Sequence, residues 1–428
     1  MFFSLQVSVY NLNMLIHSAG QLLTLAGGVQ RGKALGNLGI IEDGALLIRS
    51  EQIVDVGKTA DLLAKYPAEP RLDAQGKVVM PGFVDPHTHL VFAGDRAAEF
   101  EMRLQGKTYL EILQAGGGIL STVRATRAAS VDELVQQAAE RAKIMLKHGT
   151  TTLEAKSGYG LEWQSELRQM EALLRLDSQG ILEIHPTFLA AHAIPEEYHD
   201  FPSQYVEQIC EVMLPELRRW WIRNADARPL PFVDVFCERG AFTLPQSRRI
   251  LETARELGFP LKIHADEFEN LGGVRMALEL GAISVDHLVK TSPEEIALLG
   301  NSQTVAVSLP CTPFGLAEAE YTPARAILDA NGILALASDF NPGTAWCGNM
   351  QFVIALACRY LKLTPAQAIA AATINAAAAI RQEKRIGSLE VGKQADILIL
   401  SVEDYRHLGY RFGVNLVEHV IKRGKVVL

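Results

Sequence analysis

No apolar run in the 428 residues approaches the roughly 18 that a membrane-crossing helix requires. Basic residues are also in deficit. Lys and Arg total 41 against 49 Asp and Glu, a formal charge of −8. With no basic face and no interleaving of basic and aromatic residues, nucleic acid is not the expected partner. The stretch Arg218-Arg219-Trp220-Trp221-Ile222-Arg223 is a local exception, too short to form a binding stripe. Cysteine is scarce: Cys210, Cys237, Cys311, Cys347 and Cys358 are scattered, odd in number and free of CxxC pairing. That usage excludes a disulfide framework and suits reduced thiols in a cytoplasmic protein. The first residues, Met1-Phe2-Phe3-Ser4-Leu5, lack the basic segment of a signal peptide and read as a loose tail.

What is present is an ordinary globular composition, 48% hydrophobic and 21% charged, in a chain long enough to bury a large core. From Met14 to about Val79 short strands alternate with turns. Gly44–Arg49 and Gln52–Gly57 form a predicted hairpin around Ser50-Glu51. The same texture returns at 396–400, 417–421 and 425–428. Strand-rich segments at both ends predict one small β-sandwich domain assembled from residues 1–79 and 386–428. Between them, apolar strands alternate with amphipathic helices. Ser130-Val131-Asp132-Glu133 is a capping box opening a helix that stops at Gly149. Such repetition over residues 80–385 predicts a (β/α)8 barrel, whose chemistry sits at the carboxyl ends of its strands.

Polar residues cluster at those ends. Phe83-Val84-Asp85 runs into His87 and His89, and alternate residues of an extended chain face the same way. His264, His287 and Asp339 each follow a predicted strand. Alone, each has a structural alternative: a strand cap for His264, a satisfied core histidine for His287, a loop cap for Asp339. Their occurrence after successive strands favours a shared site. Three imidazoles and a carboxylate suffice to hold zinc or iron, with room for a water.

The stretches Pro81–Gly94, Lys262–Glu267, Val285–Leu288 and Ser338–Thr344 make the chain resemble the amidohydrolase superfamily. Residues 116–130, Glu154–Leu161, Thr187–Pro195 and Asp234–Thr243 narrow the resemblance to the imidazolonepropionase family. The resemblance spans nearly the whole chain. It implies one divalent ion, zinc or iron, on His87, His89, His264 and Asp339. Hydroxide formed from a metal-held water would then attack the ring carbonyl of 4-imidazolone-5-propanoate. It also implies Glu267 as proton shuttle, Asp339 as acceptor of the water's proton and His287 as polariser of the carbonyl oxygen. Arg96, Tyr159, His192, Asn341, Gly343 and Thr344 match substrate contacts, with Tyr109 a further candidate. A homodimer is expected, with a small-molecule substrate and neither nucleic acid nor membrane as partner.

Some relatives bridge two metals with a carboxylated lysine. Lys156 is the residue to consider, but it is expected beyond a strand end, in the Ser157–Gly160 loop, which disfavours a second ion. One departure from the family pattern is the aromatic-basic segment Leu217–Arg228, which touches no motif. Two other readings use the same residues differently. A cytosine- or guanine-type aminohydrolase would release ammonia, and a non-catalytic barrel would have lost metal ligands.

Overall fold

The computed structural model describes residues 13–107, 111 and 117–428. Eight strands form the central sheet: β1 (Phe83–Asp85), β2 (Thr150–Lys156), β3 (Glu183–Ala191), β4 (Phe232–Cys237), β5 (His264–Ala265), β6 (Ser284–His287), β7 (Val305–Ser308) and β8 (Ile333–Leu336). They lie side by side in chain order, every neighbouring pair parallel. A bridge between Thr88 and Phe340 closes the ring just past the ends of β1 and β8. There the His89 amide donates to the Phe340 carbonyl at 2.8 Å and the Asp339 amide to that of His87 at 3.1 Å. The expected barrel is therefore formed, and its last closing hydrogen bonds run through three of the expected metal-site residues.

The helix Val131–Lys147 shows why the sequence folds this way locally. Ser130 accepts from the Glu133 amide at 3.2 Å, and the Glu133 carboxylate accepts from the Ser130 amide at 2.8 Å. Its buried face is Leu134, Val135, Ala138, Ala139, Ala142 and Met145, the spacing of one helical stripe. Gly149 ends it at φ +95°, where a Cβ would also strike Leu398.

The chain ends share a second sheet of eight strands. Val78–Pro81 pairs in parallel with Met14–Leu23 and antiparallel with Ile397–Leu400, placing Met80 opposite Leu398. The sheet curls so that Ile53 and Ile421, on strands near its opposite ends, enter one core with Ile16, Val79 and Ile397. We propose that the composite unit takes the chain up to Pro81, two residues beyond the expected boundary, because Met80 and Pro81 pair within its sheet.

The segment Leu217–Arg228 belongs mostly to a helix, Leu214–Asn224. Leu217 and Trp221 are buried, the Trp221 indole N–H donates to the Pro229 carbonyl at 3.0 Å, and Arg228 pairs with Asp177 at 2.6 Å. Among the described residues, no helix is long and apolar enough to cross a membrane.

Candidate metal centre and active site

Past β1 the chain stays extended long enough to turn His87 and His89 inward, both essentially buried. β5 brings His264 against them and the turn after β8 brings Asp339. His87 Nε2 and His89 Nε2 each lie 3.5 Å from Asp339 Oδ1, and His89 Nε2 lies 3.5 Å from His264 Nε2. Ligand atoms of His87, His89 and His264 fall within 4.8 Å of one another, as do those of His87, His287 and Asp339.

A second layer of carboxylates stands behind the ring nitrogens. Asp286 Oδ2 is 2.6 Å from His87 Nδ1, and Asp234 Oδ2 is 3.0 Å from His264 Nδ1. On His87 this leaves the Nε2 lone pair directed at the centre. His87 Nε2 is buried and has no hydrogen-bond partner among the described residues. Burial, then the Lys156 ammonium, holds His87 far below the usual imidazole range. Burial and His264 do the same for His89. Buried neutral imidazoles converging on a carboxylate are costly without a guest, and a divalent cation fits the donors. The Thr312 hydroxyl donates to the other Asp339 oxygen at 2.5 Å, which leaves Oδ1 for the centre.

Glu267 and His287 face each other beside this cluster, with His287 Nδ1 3.5 Å from Glu267 Oε2. Burial, with Asp339 and Glu238 adding repulsion, raises the Glu267 carboxyl well above its ordinary value. Burial foremost lowers His287 to about 3. The pair therefore combines a readily protonated acid with a neutral imidazole, a combination suited to moving one proton.

A cavity of about 430 Å³ opens over the cluster and is also lined by Arg96, Tyr159, His192, Asn341, Gly343 and Thr344. His192 stacks on His89 at 4.8 Å between ring centroids and 16° between planes, its Nδ1 held by the Gly158 carbonyl. The Arg96 guanidinium is fixed on Glu99 by contacts of 2.9 and 2.8 Å. Glu99 also accepts from the Gly118 amide and the Ser121 hydroxyl. Asn341 spends its side chain on its own loop, accepting from the Gly343 and Thr344 amides at 2.8 Å each. Tyr109 lies outside the described residues.

With this geometry in view, the sequence matches the Amidohydrolase family over residues 78–427. The chain belongs to the amidohydrolase family. Residues 44–68 of this amidohydrolase also match an imidazolonepropionase-like composite domain of bacteria. Its relatives include the imidazolonepropionase of Herpetosiphon aurantiacus, 52% identical over 97% of both chains. That of Chloroflexus aggregans is 51% identical over 97% of this chain and 98% of the relative. Among solved structures, a zinc-bound adenosine deaminase from Xanthomonas campestris superposes with a TM-score of 0.69 at 21% identity, covering 97% of this chain and 92% of its own. The guanine deaminase of E. coli gives 0.69 at 16%, covering 97% and 99%. These two likenesses speak for the fold alone.

The structure corrects the expectation for Lys156. It lies within β2, not in the loop beyond, and is fully buried in the barrel. Its ammonium contacts Glu154 at 2.6 Å and Asp234 at 2.8 Å. Those carboxylates hold it charged against the cost of burial, whereas a carboxylated lysine needs a neutral amine. Glu99, Asp234, Asp286 and Thr312 escaped the reading of the sequence. Asp234 is an acid inside an otherwise apolar strand and Asp286 directly precedes His287, but neither local pattern says which histidine the carboxylate backs.

Proposed function

We propose that this amidohydrolase hydrolyses 4-imidazolone-5-propanoate to N-formimidoyl-L-glutamate. The observation that carries the reading is the agreement in name of relatives 42–52% identical over nearly the full chain. The cavity supports it, because the Arg96 guanidinium lines the same space as the imidazole cluster and offers a planar fork to a propionate. We assign one divalent ion, zinc or iron, to His87, His89, His264 and Asp339. Such an ion, when bound, makes water acidic near neutral pH and polarises a carbonyl.

Around it, each residue has a task set by its position. Asp339 accepts the proton of the attacking water, its outer oxygen steadied by Thr312. His287, whose buried Nε2 has no hydrogen-bond partner among the described residues, polarises the carbonyl oxygen. The water oxygen becomes part of the new carboxylate as the ring C–N bond breaks. Glu267 delivers the proton to the departing nitrogen. Tyr159 and His192 wall the ring position, and the Asn341–Thr344 loop closes it. Five free cysteines fit a reducing cytoplasm, and the exposed Tyr410, Phe412 and Val414 offer an apolar face for a homodimer.

Two measurements test the reading. Purified protein should convert the imidazolone acid to formimidoylglutamate without releasing ammonia. Ammonia release from a nucleobase in its place would transfer the chain to the aminohydrolases. A hydrogen bond to a charged group is worth roughly 1.5–3 kcal/mol. Arg96→Gln should therefore lower kcat/KM about 10- to 150-fold on the acid and leave an imidazolone lacking the carboxylate unaffected. Equal losses on both would make Arg96 a support of the loop.

A further inference from the structure

At the opposite end of the barrel, where β3 and β4 begin, lies a second cavity of about 610 Å³ that shares no lining residue with the first. Four arginines line it, Arg228, Arg381, Arg385 and Arg423, against two carboxylates, Asp177 and Glu183. Three parts of the chain supply these cations. Arg228 closes the aromatic-basic segment, Arg381 and Arg385 come from the connection leaving the barrel, and Arg423 comes from the last turn of the composite sheet.

The two acids are heavily shared. Glu183 accepts from Arg385 and from Arg423 and also lies 3.5 Å from Lys422. Asp177 takes Arg228 at 2.6 Å and the Ile184 amide at 2.7 Å. Arg381 is exposed, and its side chain makes no hydrogen bond or ion pair among the described residues. Positive charge is thus in excess here by two, in a chain whose net charge is −8. Lys422, behind the lining, is matched by its own partner, Asp396, at 2.6 Å, so the pair leaves that excess of two unchanged. The walls between the charges are apolar: Ile184, Leu230, Phe232 and Ile380.

We propose that this cavity binds a small organic anion, a carboxylate with an apolar body, gripped by the arginines on both sides of the joint between barrel and composite sheet. Guanidinium forks suit carboxylates, and the volume falls in the usual range for small-molecule sites. Inorganic phosphate would meet the charge but waste the apolar walls.

The test uses calorimetry and thermal melting of the full chain at low salt, with phthalate and inorganic phosphate as probes. Phthalate should bind one per chain with a Kd on the order of 0.1 mM, raise Tm, and bind Arg96→Gln equally well. Arg381→Glu breaks no internal pair, so it should melt like the parent without ligand yet bind phthalate at least tenfold more weakly. Arg423→Gln, which does touch Glu183, should weaken binding as well. No binding by the parent would mean that the arginines only weld the two units together, and the proposal falls. It falls equally if Arg96→Gln abolishes binding, which would place phthalate in the catalytic cavity, or if phosphate binds as tightly as phthalate.

Discussion

Gly343 shows how a single residue can set specificity without touching the reaction. A Cβ built on it would collide with the Arg96 Nη1 atom. The Arg103 guanidinium also donates to its carbonyl at 3.1 Å. Gly343→Ala should thus push the Arg96 fork out of line while leaving the imidazole cluster intact. We expect metal content unchanged, kcat within about threefold, and KM for the acid raised about 10-fold, the worth of roughly one charge-assisted hydrogen bond. Steady-state kinetics beside elemental analysis decide it, and a change confined to kcat would refute the packing argument. Glu267→Gln is the complementary case. It keeps shape and hydrogen bonding but cannot carry a proton, so turnover should fall about 10²–10⁴-fold with near-normal metal content. Activity within a few-fold of the parent would leave the proton to Asp339 or His287. The histidines were legible in the sequence because alternation on a strand is a local property. The carboxylates behind them were not, since Asp286 comes to His87 across 199 residues of chain.

Among the elements, β2 is the one whose sequence reading went furthest astray. Gly158 and Gly160 suggested a loop that began before Lys156, yet the strand runs through it, with Thr187 of β3 opposite. The error has a physical cause. A lysine inside a barrel is expensive, so sequence pattern places it outside, and only the carboxylates Glu154 and Asp234 make the interior position tenable. Because Asp234 also backs His264, this cluster couples strand packing to the imidazole cluster. Lys156→Met should destabilise the fold by about 3–5 kcal/mol, since it strands two buried carboxylates. Adding Glu154→Gln should recover part of that loss. Chemical denaturation of the three proteins measures both steps, and a Lys156→Met variant as stable as the parent would show the carboxylates to be protonated already.

For the whole molecule, the pairing of both chain ends was legible as texture, short strands before residue 80 and after 395, but its register was not. Nothing local tells Met80 to lie opposite Leu398. The joint between the two units is where their stability can be read separately, and His185 is the reporter. Its Nε2 sits 3.3 Å from Glu183 in the ion cluster beneath β3, and burial foremost lowers its pKa to about 4. An unfolded histidine titrates near 6.5, so the unfolded chain binds this proton first as pH falls. The neutral His185 therefore contributes its full stability above about pH 6.5. That contribution is lost progressively down to about pH 4, at most about 3 kcal/mol for a shift of this size. His185→Gln removes the titration while keeping a polar side chain in place. Denaturant midpoints of parent and variant measured from pH 7.5 to 4 should converge as the pH drops, the parent losing more. If the two curves run parallel across that window, the folded protein binds the His185 proton at the same pH as the unfolded chain, and burial beneath β3 does not hold the imidazole neutral.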